Sequence, residues 1–395
     1  MSKADPSLAD LAATPGSMAT AREIAQQPEI WREVLSNVEK RRNDIDAFLS
    51  GILNSSDVRI VLTGAGTSAF IGSIAAPALS RLLNRRVDAI STTDLVSNPG
   101  EYLKEDVPTL LVSFARSGNS PESTAATRLA DQCLTQVNHL IITCDEEGNL
   151  YKEHEGRPES KIVLMPKQAN DAGFAMTSSF TSMLLSSLLI FHPVSGAAVE
   201  ALAAAADDLI ATRQESLRML ARRGYERVVY LGSGPLTGLA RESALKLLEL
   251  TAGKIVALHD SALGFRHGPK AVLDDRTLVV VYVSSDAYTR RYDLDIVEEL
   301  CSTIDPRNVL AIAPAPLPLS GAETWVLPDL DGVDDAFLAI GYVVVAQILG
   351  LSFALEVGTT PDNPFPGGDV NRVVKGVSIY PLPMPDGNDA APRTS

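Results

Sequence analysis

The sequence predicts an α/β protein made of two tandem, doubly wound parallel-sheet domains. Three observations predict it. Short runs rich in Val, Ile and Leu alternate with helical stretches. The runs lack the in/out alternation of half-exposed strands, as strands covered on both faces do. The whole pattern is then written a second time. Strand–helix alternation of this kind implies parallel strands joined by right-handed crossovers.

The elements follow in order. Residues 1–48 are expected to form a loose arm and then a helix from Thr20, with Thr20 as cap, Glu23 three residues on, and Ile30, Val34, Val38 and Ile45 at helical spacing. Residues 49–196 carry strands at 58–63, 87–91, 109–113, 139–143 and 162–164. Residues 197–358 open with an Ala-rich helix over 197–223. They continue with strands at 227–231, 255–258, 278–283, 309–312 and 324–327, and close with the apolar helix 336–357. The first strands of the two copies end alike, Ile60-Val-Leu-Thr-Gly64-Ala-Gly66 and Val228-Val-Tyr-Leu-Gly232-Ser-Gly234, 168 residues apart. Residues 359–395 form a tail dense in Pro and Gly with one organised segment, 370–380.

Composition narrows the function classes. With 34 Lys and Arg against 49 Asp and Glu, the net charge is −15. An acidic chain without a basic block is a poor match for nucleic acid or an anionic membrane. Three cysteines (Cys133, Cys144, Cys301) without a CxxC pair fit a reducing cytoplasm rather than a disulfide framework. The N-terminus has no basic-then-apolar signal pattern. No uninterrupted apolar run reaches the roughly 18 residues that span a bilayer.

In an open parallel sheet, ligands sit beyond the carboxyl ends of the strands, near helix N-termini. Gly64-Ala-Gly66-Thr67-Ser68 follows the first strand, and Ser113-Phe-Ala-Arg116-Ser117-Gly118-Asn119-Ser120-Pro121 follows the third. Glycine admits close backbone approach, hydroxyls donate, and Pro121 suits the first turn of a helix whose free N–H groups face an anion. Thr177 and Ser178 sit in a third hydroxyl cluster that opens a helix. Three such clusters point to a phosphate site. Two other readings remain: ordinary turn and cap chemistry, and a dinucleotide fingerprint with Asp88 about 20 residues on, which Gly232-Ser-Gly234-Pro-Leu does not continue.

On the helix after Gly234, Glu242, Lys246 and Glu249 fall within roughly 60° of one another among Leu, Ala, Ser and Thr. So thin a stripe reads as a pocket wall, although i,i+4 ion pairs on a solvated face give the same spacing. His267, in Gly264-Phe-Arg266-His267-Gly268-Pro269-Lys270, is a candidate acid–base group or a structural imidazole. The five histidines and three cysteines show no metal-binding spacing, so no metal and no cofactor are expected.

The motifs Gly-Ala-Gly-Thr-Ser (64–68), Ser-Gly-Asn-Ser-Pro-Glu-Ser (117–123), Glu-Ser-Ala-Leu-Lys-Leu-Leu-Glu (242–249) and Arg-His-Gly-Pro (266–269) together resemble the sugar isomerase (SIS) domain family. Leu263-Gly-Phe-Arg-His-Gly-Pro-Lys and Val370-Asn-Arg-Val-Val-Lys375 are similar to its tagatose-6-phosphate ketose/aldose isomerase and galactosamine-6-phosphate deaminase group. The resemblance implies that Gly66, Thr67, Ser68, Ser117, Ser120, Thr177 and Ser178 hold a sugar phosphate. It implies that Glu249 moves a proton between C1 and C2, and Arg116, Glu242 and Lys246 are expected among the substrate-binding residues. It implies that His267 assists ring opening in the site of a neighbouring subunit, and that Lys375 approaches the sugar carbonyl. Ala115-Arg116 stands where the related amidotransferase has Ser-Gln, which sets a cation beside the phosphate loop.

The expected activity is conversion of galactosamine 6-phosphate to tagatose 6-phosphate and ammonia in a homodimer or larger assembly. With about 45 residues before the first copy and Ser2 after Met1, no glutaminase domain is expected. Two alternatives stand beside this reading: simple tagatose-6-phosphate isomerisation, and a non-catalytic sugar-phosphate sensor.

Overall fold

The non-alternating runs become strands. The computed structural model describes residues 7–319, 321–374 and 376–383. The first sheet comprises β1 (Arg59–Thr63), β2 (Val87–Ala89), β3 (Thr109–Ala115), β4 (Val137–Thr143) and β5 (Ser160–Leu164). The second comprises β6 (Arg227–Gly232), β7 (Val256–Asp260), β8 (Thr277–Tyr282), β9 (Val309–Ala313) and β10 (Glu323–Val326). Both sheets are parallel and share one order, β2-β1-β3-β4-β5 and β7-β6-β8-β9-β10. All residues of β1, β3, β8 and β9 are buried, which is why their sequences do not alternate. In each copy the order reverses beside the first strand, opening a crevice at the carboxyl ends of β1 and β3, where Thr63 pairs with Ser113.

The helices that position the site are α1 (Gln27–Lys40), α2 (Thr67–Leu83), α3 (Pro121–Cys133), α4 (Ser178–Phe191), α5 (Gly196–Thr212), α6 (Pro235–Leu250), α7 (Ala287–Thr303) and α8 (Asp335–Glu356). Helices α1, α2, α4, α5, α6 and α8 form a layer between the sheets, and one continuous apolar core joins the two copies through it. Helix α6 reaches α2 at Gly238, where a Cβ would stand 2.9 Å from the backbone nitrogen of Ile74. By length and composition alone, α8 could cross a membrane, contrary to the expectation from uninterrupted runs. Its most apolar window is 94% buried within the protein, as befits the helix at the centre of the core.

The N-terminal expectations need correction. Ser7 caps a short helix, Leu8–Leu11, whose two leucines are buried, so the described part of the arm is docked. Thr20 lies inside the helix Met18–Ala25 and does not cap it. Its backbone nitrogen and hydroxyl both donate to Asp362 at 2.8 Å. The Glu23 carboxylate accepts from the backbone nitrogens of Ala172 and Gly173. A pattern that fits a local capping box is satisfied instead by partners far along the chain. The helix expected over 197–223 also breaks at Arg213, into α5 and Gln214–Ala221.

Candidate active site

The crevice of the first copy is shaped by two loops. After β1, Gly66 adopts φ 55° and ψ −127°, a conformation favoured by glycine, which turns the chain so that α2 starts at Thr67. After β3, Ser120 sits at the N-cap of α3 with Pro121 at the first helical position, and its hydroxyl makes no capping bond. The two helix starts face a cavity of about 220 Å³ lined by Gly66, Thr67, Ser68, Arg116, Ser117 and Ser120. Thr67 is buried, with its side chain beside the Glu242 carboxyl. The positive ends of two helix dipoles, with hydroxyls between them, make an anion cradle.

Glu249 of α6 lines the same cavity. Behind it, Lys246 is fully buried, its Nζ 2.5 Å from Glu249 Oε2 and 3.4 Å from Glu242 Oε1. This stripe is therefore interior, not a solvated ladder of ion pairs. Glu242 is also fully buried, and the polar groups bearing on its carboxyl are Lys246 and the Thr67 side chain. Burial pushes its carboxyl up to about 8; the Lys246 charge opposes that rise and the Glu249 charge adds to it. Burial also works against the Lys246 ammonium, but the two carboxylates outweigh it and leave its pKa raised. At neutral pH, Glu242 is thus largely protonated and the lysine charge is directed at Glu249. The stripe was expected to form a pocket wall as a whole. The structure buries Glu242 and leaves the Glu249 side chain 23% exposed at the cavity.

Comparison with known proteins bears on this arrangement. The SIS domain model matches residues 52–193. A relative from Streptomyces coelicolor is 54% identical over 92% of this chain and 95% of its own length. The D-galactosamine-6-phosphate deaminase AgaS of Escherichia coli is 45% identical, covering 93% of this chain and 98% of its own. The crystal structure of tagatose-6-phosphate ketose/aldose isomerase from Escherichia coli superposes with a TM-score of 0.86 at 42% identity, covering 93% of this chain and 97% of that one. The chain belongs to the SIS domain family.

Not every SIS motif picked out in the sequence reaches the cavity. Thr177 and Ser178 are fully buried and do not line it. Asp171 occupies their helix N-terminus instead. Its carboxylate accepts from the backbone nitrogens of Thr177 and Ser179 at 2.8 Å, and from the hydroxyls of Thr177, Ser178 and Ser179. An internal anion has taken the place expected for phosphate. His267 is exposed and absent from the cavity lining, and the neighbouring cations Arg266 and Lys270 both pair with Glu299. Lys375 lies outside the described residues. Asp88, the acid of the dinucleotide alternative, is taken by Arg59 at 2.7 Å and Arg86 at 3.1 Å. Sequence reasoning missed the remaining walls: Phe174, Met176, and Val370, Asn371, Arg372 and Val374 of the tail.

The second SIS copy repeats the backbone but not the cradle. Gly234 adopts φ 57° and ψ −127°, matching Gly66 within a few degrees. Here the loops are filled by carboxylates. Asp293 of α7 accepts from the Ser233 hydroxyl at 2.6 Å and the Ser284 nitrogen at 2.9 Å. Asp335 of α8 accepts from the hydroxyls of Ser284 and Ser285 and from the Ser285 nitrogen. Burial raises Asp293 to about 6.

Proposed function

We propose that the protein is a deaminating isomerase that converts D-galactosamine 6-phosphate and water to tagatose 6-phosphate and ammonia. The observation that carries this reading is that Glu249 and the serine-lined cradle of Ser117 and Ser120 open on one cavity. Relatives at 43–54% identity over most of the chain bear the deaminase name, which supports the same substrate class.

The chemistry follows from the positions. The phosphate occupies the cradle of Thr67, Ser68, Ser117 and Ser120, and its binding energy holds the open-chain sugar in place. Glu249 takes the proton from C2, giving a C1–C2 enolamine, and returns it to C1. C2 is then a ketimine. Water adds there, the C2–N bond breaks, and ammonia leaves as the ketone forms. Lys246 holds the Glu249 carboxylate in place while its charge changes. Glu242, neutral beneath it, keeps the lysine from being shared. Ring opening is assigned, on motif resemblance, to His267 reaching in from a neighbouring subunit of a homo-oligomer, in keeping with its exposed position outside the cavity of its own chain. Lys375 is assigned to the sugar carbonyl on motif resemblance. The free thiols Cys133, Cys144 and Cys301 support a cytoplasmic setting.

The test is a coupled ammonia assay with galactosamine 6-phosphate and glucosamine 6-phosphate, with the ketose measured in parallel. Ammonia and tagatose 6-phosphate in equal amounts are expected. Glu249→Gln is expected to lower kcat at least a thousandfold with a small change in phosphate affinity; an unchanged kcat would remove Glu249 from the mechanism. Isomerisation of tagatose 6-phosphate without ammonia is the second reading, favoured by the name of the solved Escherichia coli relative. Turnover of the amine-free sugar alone would select it.

A further inference from the structure

Arg116 was expected to touch the substrate phosphate, yet every protein acceptor it has is a backbone carbonyl. It is only 7% exposed. Its Nη1 donates to the Gly173 and Phe174 oxygens at 3.3 and 3.2 Å, and its Nη2 donates to the Arg372 oxygen at 3.1 Å. Arg372 answers in kind, with its own guanidinium donating to the Asp171 carbonyl. Two arginines thus tie the loop 171–174 to the tail segment 370–374, and both line the cavity.

Among the described residues, neither guanidinium has a carboxylate within ion-pair distance. Of the two carboxylates whose charge favours the Arg116 cation, Asp171 is committed to the start of α4 and Glu249 is paired with Lys246. Burial and the charge of Arg372 both act against the Arg116 cation, opposed by the charges of Asp171 and Glu249. A guanidinium carries five N–H donors, and the three bonds above leave the Arg116 Nε–H and one Nη–H without an acceptor. A buried cation so placed is stabilised by an anion entering the cavity. The tail segment needs that help, since Val370 and Val374 are 48% and 46% exposed and anchor it weakly.

We propose that Arg116 is a positioning residue that couples occupancy of the anion cradle to seating of the tail: the substrate phosphate supplies the missing counter-charge, and the Arg116–Arg372 clasp then holds residues 370–374 over the sugar. This rests on the sugar-phosphate reading of the cavity. It differs from a phosphate ligand, whose loss weakens binding alone, and from a structural arginine, which seats the tail whether or not an anion is present.

Trypsin reports on the tail directly, because it cleaves after Arg372. The full-length protein is digested with and without saturating inorganic phosphate, and separately with galactosamine 6-phosphate. Cleavage between Arg372 and Val373 is followed by intact mass, and phosphate affinity by calorimetry. The expected result is at least fivefold slower cleavage at that bond, with half-protection at the calorimetric Kd. Arg116→Met is expected to abolish the protection. Arg116→Lys restores the charge without the fork, so it should recover phosphate affinity but not protection, with kcat reduced more than KM is raised. Phosphate binding without any change in cleavage of the wild-type protein would overturn the clasp, even if the variants fail to fold. No binding of phosphate or sugar phosphate would instead overturn the sugar-phosphate reading beneath it.

Discussion

Replacing Glu242 with Gln is expected to make the protein more stable at neutral and alkaline pH, and the gain can be worked from the site. The folded-state pKa is about 8, against 4.5 for an ordinary glutamate. Below pH 4.5 the group is protonated in both states and linkage contributes nothing unfavourable. Between 4.5 and 8 the folded protein binds the extra proton, so stability falls as pH rises, by on the order of 1 kcal/mol per pH unit. Over the full window the loss reaches roughly 5 kcal/mol as an upper bound, from a shift of about three and a half units. Gln is neutral in both states and of the same shape, so the variant should lose this slope. The assay is urea unfolding at pH 5, 6, 7, 8 and 9. The wild-type midpoint should drop steadily up to pH 8, while the variant midpoint drops less and crosses above it near neutrality. Parallel curves would show that Glu242 is ionised in the folded protein and that the Lys246 charge is shared, which would refute the protonation assignment.

Three other predictions follow from the same geometry. Asp171→Ala orphans two backbone nitrogens and three hydroxyls at the start of α4, so a loss of at least about 3 kcal/mol in urea unfolding is expected; under 1 kcal/mol would mean water replaces the carboxylate. Gly66→Ala and Gly234→Ala impose the same backbone strain, about 1–3 kcal/mol each, with no atom within 4 Å of either new Cβ. Only Gly66→Ala should raise KM for the sugar phosphate, and equal KM effects would remove the first loop from the site. Burial lowers His154 to about 3, with the charges of His139 and Arg157 adding. Its folded pKa is below the unfolded one, so its contribution is present above pH 6.5 and lost as pH falls toward 3; His154→Asn should flatten the acid limb of the stability curve between pH 6.5 and 4.

Much of this was legible because two signals are local. A strand buried on both faces cannot alternate, so Leu110-Leu-Val and Leu278-Val-Val-Val declare their place in a parallel sheet. A helix repeats every 3.6 residues, so Glu242, Lys246 and Glu249 declare a shared face. Periodicity gives the face but not its depth. Whether Glu242 or Glu249 lies deeper depends on how α6 packs on α2 and α8, and that information sits in other segments. The same limit hid Arg116, whose acceptors are backbone carbonyls 57 to 256 residues away and carry no side-chain signature.

The hydroxyl clusters show the limit most clearly, because the sequence held three of one type and the fold gave them two fates. Every helix start offers unpaired N–H groups, and something must satisfy them. At α4 the Asp171 carboxylate does so from within the chain. In the second SIS copy, Asp293 and Asp335 fill the loops that match those around Thr67 and Ser120. At α2 and α3 the helix starts stay open to the cavity: the Ser120 hydroxyl makes no capping bond, and the acids nearby, Glu242 beside Thr67 and Glu122 in the first turn of α3, do not line it. A hydroxyl-rich helix start is left open to a cavity here only where no carboxylate of the chain accepts from its backbone N–H groups. The open cradle of the first copy and the carboxylate-bonded loops of the second share one backbone design. Asp293→Ser with Asp335→Ser should accordingly leave the second set of loops short of an anion, and binding of a second inorganic phosphate per chain, read by calorimetry, is the expected result. Retention of a single phosphate by a folded double variant would mean that loop shape, not the missing anion, separates the two copies.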